Sequence, residues 1–160
     1  MNVVNVDEAE WEVWEEGRWG HAFRVLTPGN RERSGLGMSQ NRLRPGFASC
    51  PFHWHEREDE IFFIQSGRAI WRYGDAIREV GPGDCLSAPA GRKVGHQLAN
   101  PFDEDCIYLA IGPHDPHEVC GYPDTGKVMV RSLGQVGRLE QTPYMDGEPE
   151  IPLIFELVDP

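Results

Sequence analysis

Between residues 35 and 111 the chain alternates apolar and polar positions in short runs, each closed by glycine, proline or both. A period of two over a few residues predicts β-strands. They are expected at 21–26, 35–43, 61–64, 68–73, 76–80, 85–88, 96–99 and 106–111. Turn chemistry separates them: TPGNRERS at 27–34 (with Pro28, Gly29 and Asn30), RPG at 44–46, Ser66-Gly67, Gly74-Asp75, GPGD at 81–84, PAG at 89–91 and Asn100-Pro101. No stretch sustains a helical period, so the fold class is all-β, a sandwich or barrel. Upstream, WEVWEEGRW carries Trp11, Trp14 and Trp19 and is expected to be an amphipathic arm laying rings on the barrel or on a second subunit. Downstream, 127–131 reads as a strand, and the tail EIPLIFEL is apolar enough to dock on a surface. The expected organisation is one domain over 1–160, with an N-terminal arm at 1–34, a barrel core at 35–112 and a C-terminal extension at 113–160. There is no internal repeat or low-complexity segment.

Composition narrows the partners. A chain of 160 residues supports one core and is too short for two ordinary domains. Its formal net charge of −11 repels phosphate backbones and anionic membranes, and no helix-turn-helix pattern precedes the strands, which argues against nucleic acid. No apolar run approaches the roughly 20 residues of a bilayer span. The first ten residues are acidic where a signal peptide would be basic, so a cytoplasmic chain with reduced thiols is expected. Cys50, Cys85, Cys106 and Cys120 form no CxxC pair. Cys50 is expected to be a small buried filler despite its closeness to His53.

The chemistry concentrates in GFASCPFHWHEREDEIFFIQSG, residues 46–67. On a strand, His53 and His55 point to one face and Phe52 and Trp54 to the other. If residues 56–59 turn, Glu60 opens the returning strand, shares parity with Phe62 and Ile64, and can meet the two imidazoles. A second stretch, residues 83–100, brings His96. Inward histidines beside a carboxylate are costly to bury without a partner, and a metal offsets that cost. The spacing of Gly46, His53, His55, Glu60 and Gly67 resembles the first motif of the cupin family. Gly83, Pro89, Gly91, His96 and Asn100 resemble its second, after a spacer of fifteen residues. One extra residue precedes His53 and two precede His96, where Gly95 is expected to give the bend.

The resemblance covers residues 35–112. It implies a double-stranded β-helix, the cupin jelly-roll barrel, with one metal at its open mouth. It also implies that the tail builds a homodimer. The ligand set would be His53, His55, Glu60 and His96, leaving two positions of an octahedral ion open. Fe, Mn, Zn, Ni and Cu all suit these donors. A small-molecule substrate is expected above the ion, against Phe62, Trp71 and Tyr108, although core packing is the alternative for each. Arg72 and Tyr73 cannot both face inward. In HDPH, residues 114–117, His114 and His117 with Asp115 and Glu118 suggest a second metal site, but a solvated loop is the expected reading. The resemblance is to small sugar-phosphate-isomerase-like cupins, which implies a phosphate clamp drawn from Arg92, Lys93, Lys127 and Arg131. The acidic net charge weighs against a phosphorylated substrate, and no inward base can be assigned. A metal-dependent dioxygenase acting on a chelating enediol or catechol, and a ligand-binding protein without turnover, stand beside the isomerase.

Overall fold

The computed structural model describes residues 3–28 and 35–158. Most of the turn expected at 27–34 lies outside the described residues. The strands are β1 (Glu12–Glu16), β2 (Trp19–Val25), β3 (Leu36–Leu43), β4 (Phe47–Ala48), β5 (Trp54–His55), β6 (Glu60–Ser66), β7 (Ala69–Tyr73), β8 (Ala76–Val80), β9 (Cys85–Ala88), β10 (His96–Asn100), β11 (Cys106–Pro113), β12 (Val119–Tyr122), β13 (Lys127–Val130) and β14 (Gln135–Gly137). One helical turn, α1 (Ile154–Leu157), lies in the tail. The larger sheet runs β8-β7-β10-β4-β2-β3-β11-β6-β9, with β1 paired to β2, and the smaller runs β14-β13-β12-β5.

Alternation along the strands sets the inside. In β6, Phe62 and Ile64 are buried while Ile61 and Phe63, which alternate with them, are exposed. The same rhythm in β7, β9 and β10 places Ala69, Trp71, Leu86, Ala88 and Leu98 in one core with Leu43, Val80 and Tyr108. Burying side chains such as Leu43, Ile64 and Leu98 contributes about 2 kcal/mol each. Gly67 permits the β6–β7 turn: its φ is 71°, and a Cβ there would lie 2.1 Å from the Asp105 carbonyl oxygen.

Residues of WEVWEEGRW form the β1–β2 hairpin, and β2 sits inside the large sheet between β4 and β3. Trp14 and Trp19 stay 45% and 42% exposed, while the Arg24 and Arg42 guanidinium groups lie over the Trp11 ring at 4.5 and 5.0 Å. The strand expected at 127–131 forms as β13 and joins the smaller sheet. No helix among the described residues is long and apolar enough to cross a membrane.

Candidate metal centre

His53 and His55 reach one point because β5 is short and held on both sides. His53 and His96 exchange backbone hydrogen bonds of 3.2 and 2.7 Å, which pins the first motif to the start of β10. His55 pairs with Cys120 and Trp54 with Gly121 across β5 and β12. A Cβ on Gly121 would sit 2.2 Å from the Trp54 ring, so the glycine lets that ring lie flat across β12 and leaves His55 facing inward. Glu60, the first residue of β6, joins the same cluster after the turn at 56–59.

The two extra residues before His96 are absorbed differently from the expectation. Lys93 takes the left-handed backbone, at φ 54°, and not Gly95. Gly95 is needed for space, since a Cβ there would meet the Phe52 ring at 2.5 Å. His96 therefore stays in place and is almost fully buried.

One nitrogen or oxygen from each of His53, His55, Glu60 and His96 lies within 4.8 Å of all the others. His53 Nε2 is 2.9 Å from His55 Nε2, His96 Nε2 is 2.7 Å from Glu60 Oε2, and His55 Nε2 is 3.3 Å from the same oxygen. His53 Nε2 and Glu60 Oε2 are 4.0 Å apart. Ligands about 2.0–2.2 Å from one ion stand about 3 Å apart when adjacent and about 4 Å apart when opposite. The four separations lie in that range, so these residues would be able to hold one ion together.

Proton placement leads to the same requirement. His53 Nδ1 donates to the Pro51 carbonyl at 2.9 Å, so its Nε2 presents a lone pair to His55. Two ring nitrogens at 2.9 Å need a proton or a cation between them. His55 Nδ1 faces Cys120 Sγ at 3.3 Å, Glu58 Oε2 at 3.7 Å and Glu118 Oε1 at 3.9 Å. Burial lowers the His55 pKa, but the Cys120 and Glu60 contacts outweigh it and raise it to about 9. Burial likewise pushes Glu60 up, and the His55 and His96 hydrogen bonds reverse this, holding the carboxyl well below its usual range. Burial lowers His96 against the pull of Glu60. His96 Nδ1 is buried with no partner among the described residues, so only the Nε2 edge of that ring does polar work.

Three carboxylates thus ring His55, against one guanidinium. Arg131 is bound to both oxygens of Glu58, with Nη2 at 2.9 Å from Oε2, and also donates to the Asp115 carbonyl at 2.6 Å. Glu118, 0% exposed, has no salt-bridging guanidinium or ammonium among the described residues and accepts backbone N–H groups from Glu56, Val119 and Arg57 at 2.8, 2.9 and 3.1 Å. With His55 neutral, as a metal ligand must be, the excess of two negative charges equals the charge of one divalent cation. The donor set, its spacing and its charge therefore all fit such an ion. Buried Glu118 and Cys120 with His55 form a second group of donors, but Glu118 is already spent on the backbone.

The other expected residues fall as follows. Phe62 and Trp71 flank His96, with ring centroids 6.0 and 5.5 Å from it, and Tyr108 packs 6.0 Å from Phe62. All three lie in the core cluster and form the inner wall beside the histidines. Arg72 faces outward to Asp124, and Tyr73 stacks on Trp71. Cys50 is half-buried, with Sγ 3.6 Å from His53 Nδ1, and burial pushes its thiol up to about 12. His114 and His117 are exposed, as a solvated loop requires, while Glu118 departs from that reading and is buried. Asp115 pairs with Arg57, so the HDPH residues do not converge on a second ion. Of the clamp candidates, Arg131 is locked to Glu58, Lys127 lies over Tyr122 at 5.6 Å and Lys93 over Trp54 at 5.8 Å. Sequence spacing missed Glu58, Glu118 and Cys120 as neighbours of His55, and Tyr122, which stacks on His53 at 6.0 Å. A hollow of about 160 Å³ opens beside Glu60, between Val25, Thr27, Met38, Ser39 and Ala110.

Comparison with known proteins agrees with this architecture. Residues 41–112 match the cupin domain family. With the all-β jelly roll and both motifs present, residues 41–112 form a cupin domain. It is similar to a cupin-superfamily sugar phosphate isomerase from Silicibacter pomeroyi, at 27% identity and TM-score 0.73, covering 92% of this chain and 96% of that one. A putative sugar phosphate isomerase from Acidithiobacillus ferrooxidans shares the fold at 22% identity and TM-score 0.66, over 84% and 90% of the two chains. The polyketide cyclase RemF from Streptomyces resistomycificus shares it at 21% identity and TM-score 0.59, over 72% and 80%. No curated protein matches the chain by sequence.

Proposed function

We propose that His53, His55, Glu60 and His96 hold one divalent metal ion and that the protein acts there on a small molecule with adjacent carbonyl and hydroxyl oxygens, as an aldose–ketose type isomerase. The observation that carries this is the four-donor cluster, whose spacing and charge deficit match one divalent ion. The likeness to the Silicibacter pomeroyi isomerase supports the reaction class. Bound there, the ion would supply Lewis acidity toward the carbonyl. The chain's own residues do the rest. Pro51 and Cys120 fix the His53 and His55 rings through Nδ1, Glu60 offers its partly exposed carboxylate to the hollow, and Phe62 and Trp71 keep water from the His96 side.

A second reading rests on the acids. Glu58 is bound by Arg131 and Glu118 by backbone N–H groups, so neither is free to act as a base. A dioxygenase acting on a chelating enediol needs none, and this reading keeps that advantage. Elemental analysis of protein purified without added metal comes first, with near one equivalent expected. Interconversion of aldose and ketose phosphates, and of the free sugars, is then measured under nitrogen, and oxygen uptake with enediols and catechols in air. Turnover under nitrogen supports the isomerase. Oxygen consumption alone transfers the case to the dioxygenase. Tight binding without turnover in either assay leaves a binding protein.

A further inference from the structure

Strand register builds the hollow beside Glu60. Across β2, β3, β11 and β6 one row of partners is Val25, Ser39, Ala110 and Phe62, and paired residues share a face. Phe62 is buried, so the row faces the barrel interior. Two residues further along, on the same face, Gly37 pairs with Gly112. A Cβ on Gly112 would lie 3.6 Å from Glu60 Cγ, and one on Gly37 would lie 3.9 Å from Thr27 Oγ1. The paired glycines thus keep open the 160 Å³ between the Glu60 carboxylate and the hydroxyls of Thr27 and Ser39.

Those hydroxyls have one sense. Ser39 Oγ accepts from Asn41 Nδ2 at 3.0 Å, and that amide, on a side chain buried to 2% exposure, also donates to the Ser39 carbonyl at 3.2 Å. Thr27 Oγ1 accepts from the Met38 N–H at 2.8 Å, while its own proton has only the Met38 carbonyl at 3.5 Å. Both oxygens already accept, so what each offers the hollow is an O–H donor. Two donors set among aliphatic Val25, Met38 and Ala110 match the oxygens of a short hydroxylated carbon chain. Among the described residues, the ionisable groups on the wall are Glu60 and His114. With an ion bound, the acids around it are balanced, so a phosphoryl dianion would bring fresh charge to a carboxylate and two hydroxyls. The volume is that of roughly five waters, room for the tail of one sugar and not for a second ring.

We infer that Ser39 and Thr27 bind the hydroxylated tail of the substrate, with Asn41 positioning Ser39, and that the substrate is a free monosaccharide and not a sugar phosphate. The inference rests on the reading of His53, His55, Glu60 and His96 as an ion site that takes a hydroxy-carbonyl compound.

Calorimetry on the full-length protein with one equivalent of zinc tests it. The probes are D-ribose, D-xylose, D-glucose and D-fructose, their terminal phosphates, and the disaccharide maltose. At least one free sugar is expected to bind about tenfold or more tightly than its phosphate and than maltose. Ser39→Ala, and separately Thr27→Val, should weaken that sugar about fivefold with zinc content and melting unchanged. Ser39→Thr, which keeps the hydroxyl, should retain most of the affinity. Ala110→Leu, which fills the hollow, should abolish sugar binding and leave the zinc in place. No binding by any free sugar, tighter binding of a phosphate, or wild-type affinity in both Ser39→Ala and Thr27→Val overturns the inference. Turnover under nitrogen separates it from the reading beneath it. Interconversion of the phosphates in preference to the free sugars keeps the isomerase and overturns this assignment. A free sugar held by Ser39 and Thr27 without interconversion supports the assignment and removes the isomerase.

Discussion

Replacing Glu118 with alanine tests how the candidate metal centre is supported. This carboxylate is fully buried and caps the backbone N–H groups of Glu56, Arg57 and Val119. Those groups belong to the turn between the two histidines and Glu60, and to the strand that carries Cys120. An orphaned buried donor costs about 1–3 kcal/mol. Glu56 N–H keeps a second acceptor, the Val119 carbonyl at 3.0 Å, so the Arg57 and Val119 donors bear the loss; the Arg57 side chain is exposed and water reaches part of the turn, and about 3 kcal/mol is the working value. For a chain of this length that is a fall in melting temperature of roughly 6–12 °C. The loosened turn also moves Glu58 away from His55, and loss of such outer support typically weakens metal binding about 10–100-fold. Glu118→Gln retains one acceptor oxygen and should lie between wild type and alanine in both measurements. Thermal and urea unfolding of the metal-free protein, followed by zinc or manganese titration, would show this. If Glu118→Ala melts within about 2 °C of wild type, the turn does not depend on these hydrogen bonds and the support described here is wrong.

Three more outcomes are expected. His96→Ala and His53→Ala should each lose most of the metal found by elemental analysis; full occupancy in either would remove that residue from the ligand set. In metal-free protein, the raised His55 value stabilises the fold below its ordinary pKa and the benefit is lost as pH rises through about 9. The depressed Glu60 value acts oppositely, its benefit vanishing as pH falls through that lowered pKa. Metal must displace the His55 proton, so affinity should rise about tenfold per pH unit from 7 to 8.5 with about one proton released; calorimetry in two buffers reads this, and zero release refutes it. Lys93→Gly relieves a left-handed non-glycine backbone and should stabilise by about 1 kcal/mol in urea unfolding, with no gain meaning that the strain is absent.

The chain order of strands and turns was legible because each strand is half-buried, and a half-buried strand writes its period of two into the sequence. His53, His55 and Glu60 were legible for the same reason: they are close in sequence, and parity fixes their faces. His96 needed the family resemblance, since nothing local links it to His53; the bridge between them is made by pairing across 43 residues. Glu58, Glu118, Cys120 and Arg131 could not be read at all. Their meeting depends on β12 pairing with β5, and the hydrogen bonds that hold them around the turn at 56–59 and His55 span 61 to 73 residues. The HDPH segment looked solvated because its prolines and acids are what a loop contains, and only the packed structure turned Glu118 inward. Local alternation records which side of a strand is wet. Which distant strand lies against it is decided by closure of the sheet, and that pairing places the Cys120 thiol and the Glu118 carboxylate beside His55.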